Sequence, residues 1–220
     1  MTRSASLPSQ AVAVEAPSAR KNPIQERSKA RVERILEAAA ELIVRGGSDP
    51  LKMSEVAASA GISIGSLYQY FPEKAALIRM LAERINAGSR ACIRDGLKDV
   101  TDLASLQSSF AGLVDVYYAI VNERPVMRDI WSGMQADRQL LTLQIAESRI
   151  CGQMLADAMF KVHKVRGRAD TKRVGQAAFL IWEMGEATIR LAIAVEPTEG
   201  AALVEAYKRM ALREITDPLA

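Results

Sequence analysis

Only two cysteines, Cys92 and Cys151, and one histidine, His163, occur among the 220 residues. The cysteines are far apart, form no CxxC pair and have no histidine nearby, so neither a disulfide framework nor a structural zinc site has support. A reducing cytoplasm fits that usage. Aromatic residues are scarce, at 5%. No apolar run approaches the roughly 18 residues that a membrane span needs, so no membrane partner is expected. The opening segment MTRSASLPSQAVAVEAPSARKNP is broken by Pro8, Ser9, Gln10 and Glu15, which argues against a secretory signal. No repeat of fixed period and no useful stretch of alternating apolar and polar residues is present, and that excludes solenoids and leaves sheets without support. No sign of charge dominates either, with 29 Lys and Arg against 26 Asp and Glu. The distribution says more: Arg20, Lys21, Arg27, Lys29, Arg31 and Arg34 crowd one segment opposed only by Glu26 and Glu33.

What is present is apolar residues at helical spacing. With 49% hydrophobic and 25% charged residues the chain can bury a sizeable core. Val32, Ile35, Leu36, Ala39, Leu42 and Ile43 gather on one face of a helix that Gly46 and Gly47 stop. Met53, Val56, Ala57 and Ala60 mark a second, short helix, ended by Gly61. Ser63 can cap a third, which Pro72 closes, and Glu73 then places negative charge in the first turn of a long helix near 73–97. Further helices follow at about 102–123, 126–135, 137–164, 169–195 and 199–215, punctuated by Pro125, Gly167 and Pro197. The fold class is all-α: a mobile tail over 1–24, a small three-helix domain over 25–75, and a larger helical domain over 76–220.

Two short helices joined by Gly61-Ile62-Ser63 make a helix-turn-helix, spanning 52–71. At about 100° per residue, Leu67 and Phe71 share one side of the second helix, and Gly65 and Gln69 lie opposite. That outer face is polar, aromatic and low in bulk, which suits the major groove of DNA, about 12 Å wide. Gly65 lets backbones approach. Ser63, Ser66, Tyr70 and Lys74 are candidates to hold phosphates. Gln69 is the candidate base reader, because its amide donates and accepts together as the edge of adenine requires, and Tyr68 offers a ring to a thymine methyl or a hydroxyl to the backbone. Bland alternatives stand beside these: Tyr70 can pack against the first helix, Ser63 can be solely a cap, and the basic cluster from Arg20 to Arg34 is either a solvated face or a supplementary arm on DNA.

The run from Ile35 to Leu81, with "RILEAAAELIVRGG", "MSEVAASAGISIGSLYQYFPEKAALI" and the Leu-Tyr-x-Tyr-Phe ending of the short helix, resembles the amino-terminal domain of TetR-family transcriptional regulators. The resemblance implies that Ile62 and Leu67 are core and that Ile64, Gly65, Ser66, Tyr68, Gln69, Tyr70 and Lys74 approach DNA. It also implies a homodimer on a palindromic operator, with an unidentified small molecule bound in the larger half, and more often a repressor than an activator. One departure stands out. Where the family usually opens its second helix with a threonine pair, this chain has Leu51-Lys52, so Lys52 by charge and Ser54 by its hydroxyl become the candidates for that phosphate contact.

A recognition helix used once makes too few base contacts, so a two-fold interface is needed. "GQAAFLIWEMGEATIRLAIAV" in the helix near 169–195 has apolar or small residues around much of its circumference, and Gly175, Ala178, Gly185 and Ala192 would admit a second helix closely. Paired with 199–215 it forms either a four-helix bundle across the dimer axis or an ordinary intramolecular core. Phe110, Tyr117, Met127, Trp131, Met134, Met154, Phe179, Trp182 and Glu186 are the candidate lining of a ligand pocket. Glu183, Glu186 and Arg190 offer it polar groups, although Glu186 and Arg190 at four-residue spacing also read as an ion pair on the helix surface. No cofactor or metal is implied. An all-α enzyme is the poorer alternative, since His163 lies in the basic "KVHKVRGR" and neither a nucleophile motif nor a phosphate loop appears. A helical protein-interaction module is another.

Overall fold

The computed structural model describes residues 23–123, 126, 127, 129, 130 and 138–219. The tail expected over 1–24 therefore falls almost wholly outside the described residues, as do Trp131 and Met134 and most of the helix expected at 126–135.

Eight helices and no strand occur among the described residues: α1 (Pro23–Gly46), α2 (Met53–Ser59), α3 (Ile64–Tyr70), α4 (Lys74–Leu97), α5 (Leu103–Glu123), α6 (Arg138–His163), α7 (Arg168–Ala192) and α8 (Pro197–Thr216). α1 starts earlier than its apolar stripe, so Arg27, Lys29, Arg31 and Arg34 project from a helix, exposed to solvent. Glu73 is the residue before α4 and not in its first turn, and Pro197 opens α8 at its first position, where the missing N–H costs nothing.

Ile35, Leu36, Ala39 and Ile43 of α1 are completely buried, as the three- and four-residue spacing requires. They meet Val56 of α2, Leu67 of α3 and Leu77 and Ile78 of α4. Gly47 (φ +84°) and Gly61 (φ +66°) turn the chain in the left-handed region after α1 and α2. The same core continues into the larger half through Val121, Met127, Ile130 and Ile189, so the small domain is seated on the large one by shared apolar packing. A second core is built from α5 to α8 around Leu106, Leu155, Met159, Ala178, Val204 and Ile215.

Small residues set the helix spacings of the larger half. A Cβ on Gly152 of α6 would stand 2.9 Å from Cα of Phe179 on α7, and one on Gly200 of α8 would stand 2.2 Å from the Ala192 carbonyl. Gly185 is closed over by Tyr207, whose hydroxyl donates to the Ile181 carbonyl at 2.6 Å. Ala178 and Ala192 are buried inside the same chain. The positions expected to admit a partner helix are thus, apart from Gly175, taken by packing within the chain. That packing wins because α8 folds straight back on α7 through a short turn, which makes contact intramolecular and cheap in entropy.

Candidate nucleic-acid interface and internal cavity

α3 is held from below and from its start. Leu67 is fully buried and Phe71 nearly so. The Ser63 hydroxyl accepts the Ser66 amide at 3.1 Å, which fixes the first turn of the helix. Ile64, Gly65, Tyr68 and Gln69 are exposed on the outer side, with Ser66 half-buried beside them. A Cβ built on Gly65 would have no heavy atom within 4 Å, so nothing inside the chain calls for glycine there. Tyr70 is half-buried against the amino-terminal core. Lys74 donates to the carbonyls of Asp49 at 2.8 Å and Ser48 at 3.3 Å, tying the start of α4 to the loop before α2. Ser48 in turn donates to the Asp129 carbonyl at 2.9 Å.

At the start of α2, Leu51 is buried and Lys52 stands in the capping position without a side-chain cap. Lys52 is exposed and has Glu55 at 3.6 Å, a pair that solvent screens strongly. Ser54, two residues on in the first turn of α2, is also exposed.

Behind α4 the larger half encloses a cavity of about 320 Å³. Five of the expected lining residues, Phe110, Tyr117, Met127, Trp182 and Glu186, do line it. Met154 and Phe179 do not. α6 turns Leu155 to the cavity in place of its neighbour Met154, and Phe179 is packed on Gly152 with the Arg149 guanidinium 4.5 Å above its ring. What sequence reasoning missed is the contribution of α4: Ile85, Gly88, Ser89 and Cys92 line the cavity at helical spacing. Two small residues on the inner face of a long helix were the available signal, and space is open around Gly88. Arg84 also lines the cavity and is ion-paired with Glu33 of α1.

The polar end of the cavity is built around Glu186. Its Oε1 accepts from Trp182 Nε1 at 3.0 Å, and its Oε2 lies 3.4 Å from Gln144 Nε2 and 3.8 Å from Arg190. The pair with Arg190 exists, but not on an open helix surface: the Glu186 side chain is only 12% exposed, because its face of α7 turns toward α6 and the cavity. Burial raises the Glu186 carboxyl above its ordinary range, against the hydrogen bonds from Trp182 and Gln144, which lower it. Burial likewise raises the Tyr117 phenol, and it pushes the Cys151 thiol up to about 12 with help from Glu147 and Glu186. Such a thiol is inert as a nucleophile. His163 is a structural tie, with Nε2 2.8 Å from the Ile215 carbonyl.

Comparison with known proteins places this arrangement. The family described as bacterial regulatory proteins, tetR family, matches residues 35–81, and the tetracyclin repressor-like C-terminal domain matches residues 104–219, more than half of the chain. No curated protein matches the sequence. Solved structures with the same fold include a TetR-family transcriptional regulator from Streptomyces coelicolor, 22% identical with a TM-score of 0.65, covering 88% of this chain and 99% of that one. A TetR transcription regulator from Haloarcula marismortui is 15% identical with a TM-score of 0.63, over 86% of this chain and 98% of that one. A SmeT–triclosan complex is 19% identical with a TM-score of 0.63, over 84% and 90%. The chain belongs to the TetR family of transcriptional regulators. It is a helix-turn-helix DNA-binding protein and not an enzyme. Among the described residues no helix is long and apolar enough to cross a membrane.

Proposed function

We propose that the chain is a homodimeric repressor that holds a palindromic operator through α3 and is released from it by a small molecule bound in the cavity. One observation carries the DNA-reading part. Gly65 sits at the centre of an exposed helical face with open space around it, although glycine in a helix costs roughly 0.5–1 kcal/mol relative to alanine. A conformationally costly residue with no use inside the chain fits close approach by another molecule. Gln69 and Tyr68 then read base edges, and Ser66, Ile64 and the hydroxyl of Tyr70 lie against the backbone. Lys52, Ser54 and the Ser63 hydroxyl meet phosphates at the two helix starts. Lys74 acts by holding the 47–52 loop, and by adding positive charge behind it.

Dimer formation is supported by what α7 and α8 leave uncovered. Leu180, Met184 and Leu191 form an exposed stripe at helical spacing on α7, and Met210 of α8 is 57% exposed. Two copies joined there set their α3 helices for half-sites about one turn, ~34 Å, apart. On this reading residues 25–75 read DNA, residues 76–220 hold ligand and partner, and the protein works in the cytoplasm on the nucleoid.

Two links support communication between the halves. Met127 lines the cavity and belongs to the core that seats α1 to α4, and the nearby Asp129 carbonyl holds Ser48 of the loop before α2. Arg84 touches the cavity and Glu33 of α1 at once. A ligand that favours a different placement of α4 lowers operator affinity by its difference in affinity for the two states, and by no more. That a neighbour of this fold was solved with triclosan supports the cavity as a ligand site.

Selection of bound sequences from random DNA by the purified protein tests the reading. A palindrome is expected, and Gln69→Ala with Tyr68→Ala is expected to weaken binding to it and relax its sequence at the contacted positions. Failure to select any sequence removes the operator reading and leaves a helical protein-interaction module.

A further inference from the structure

The cavity does not end at its apolar wall. Ser89, Tyr117, Trp182 and Glu186 also line a smaller recess of about 20 Å³, completed by Asn86, Gln144, Glu147 and Cys151. That is room for one group the size of a water molecule.

The recess is rich in acceptors. Gln144 is only 9% exposed, and its Oε1 is buried without a hydrogen-bond partner. Its orientation is not arbitrary: Nε2 points to Glu186 Oε2, and the reversed amide would set two acceptors against each other. An unpaired buried carbonyl is costly and calls for a donor. The charges lean the same way. Glu147, ion-paired with Arg90, accepts from the Cys151 thiol at 3.8 Å. Glu186 faces Arg190 at 3.8 Å, and Glu183 adds a further carboxylate that raises the Glu186 pKa. Glu147 and Glu186 line the recess, set against the guanidinium groups of Arg90 and Arg190, and Glu183, outside the lining, adds a third negative charge beside Glu186.

Taking the cavity to be the effector site, we propose that its ligand is a lipophilic primary amine bound as its ammonium ion. The hydrocarbon body fills the apolar cavity, and the ammonium enters the recess to donate to Gln144 Oε1 and the Glu186 carboxylate. An ammonium brings three donors and one positive charge, which meets both the unpaired acceptor and the excess of carboxylates. An anion finds Arg84 engaged by Glu33 and Arg90 by Glu147; Arg190 Nη1 is buried without a hydrogen-bond partner but stands 3.8 Å from Glu186 Oε2, so an anion reaching it would be set against that carboxylate. A neutral alcohol satisfies Gln144 but leaves the charge excess. A trimethylammonium head is too large for the recess.

Decylamine, decan-1-ol, decanoate and decyltrimethylammonium, each below its aggregation concentration, are titrated by calorimetry into the full-length protein at neutral pH. Decylamine is expected to bind at least about tenfold more tightly than the other three, the margin of a charge-assisted hydrogen bond over a neutral one. Glu186→Gln is expected to erase most of that margin, read as the ratio of decylamine to decan-1-ol affinity within the variant. Gln144→Leu keeps the Glu186 charge and is expected to weaken decylamine severalfold, so the idea stays testable should one variant misfold. Binding of the alcohol, the anion or the trimethylammonium probe as tight as that of the amine overturns the ligand class but leaves the cavity as an effector site. A margin that persists in both variants places the amine elsewhere and also overturns it. If none of the four probes binds, the effector reading of the cavity falls as well.

Discussion

Ser63 and Gly65 show how single positions separate folding from reading. Ser63 caps α3, and its hydroxyl is also placed to meet a phosphate. Replacement by alanine loses the cap and is expected to cost about 1 kcal/mol of stability. Replacement by aspartate keeps a good cap but sets a carboxylate near the phosphate, so thermal stability is expected to hold while operator affinity falls more than about tenfold. A helix-capping role alone predicts unchanged affinity for Ser63→Asp, and a melting curve beside a binding titration separates the two. Gly65→Ala is expected to raise stability by about 0.5–1 kcal/mol, since open space surrounds the added methyl and the unfolded chain loses freedom. Operator affinity is expected to fall at the same time. Glu186 makes a prediction about pH. Its native pKa is raised by burial, so the folded state holds the proton more firmly than the unfolded one, and stability is greatest below the ordinary carboxylate value, about 4.3. It is lost as pH rises through the elevated native value. Glu186→Gln is therefore expected to gain thermal stability relative to wild type as pH increases from 4 to 8, and a constant difference across that range would contradict the burial argument.

Helix packing carries the next scale. The α7–α8 hairpin depends on Gly185, because a Cβ there would lie 2.7 Å from the Tyr207 hydroxyl and 3.0 Å from its ring. Gly185→Ala is expected to cost about 1–3 kcal/mol by overpacking. It should also weaken ligands, since Tyr207 is pushed from its place in the cavity wall. Tyr207→Phe loses the hydrogen bond to Ile181 but opens room, so the double variant is expected to be less destabilised than the sum of the two singles. Strict additivity in denaturant melts would show that the contact does not hold the hairpin. Residues 85, 88, 89 and 92 of α4 illustrate why the cavity is only half legible in the sequence. Their spacing predicts a helical face, but whether that face meets side chains or empty space depends on how far away α5 and α7 stand.

At the scale of the whole molecule, DNA binding is an electrostatic sum over both copies. The log–log salt dependence flattens by about 0.9 for each phosphate that is no longer neutralised. A dimer carries Lys52 twice, so Lys52→Ala is expected to flatten the slope by about 1.8, twice that increment. A change near 0.9 points to one engaged copy, and no change assigns Lys52 to its Glu55 partner alone. Leu191→Glu, on the exposed stripe of α7, is expected to give a monomer by sedimentation that has lost the operator but still takes up cavity ligands.

The helices themselves are legible from residue order because their apolar spacing is a local property. Ile35, Leu36, Ala39 and Ile43 announce a buried face, Gly61 a turn and Ser63 a cap, and the family resemblance follows from the same short-range pattern. Roles that depend on a neighbour distant in sequence are not legible. Lys74 reads as a phosphate contact, yet it is bonded to the Asp49 carbonyl; Ala178 and Ala192 read as a partner surface, yet they are buried inside the chain. The sequence by itself determined helix identity, the helix-turn-helix and its outward residues, since these follow from intervals of three and four. Tertiary structure alone decided that Glu186 faces an apolar cavity and that Gln144 keeps an unpaired acceptor beside it, because burial and charge balance arise only when α4, α6 and α7 meet.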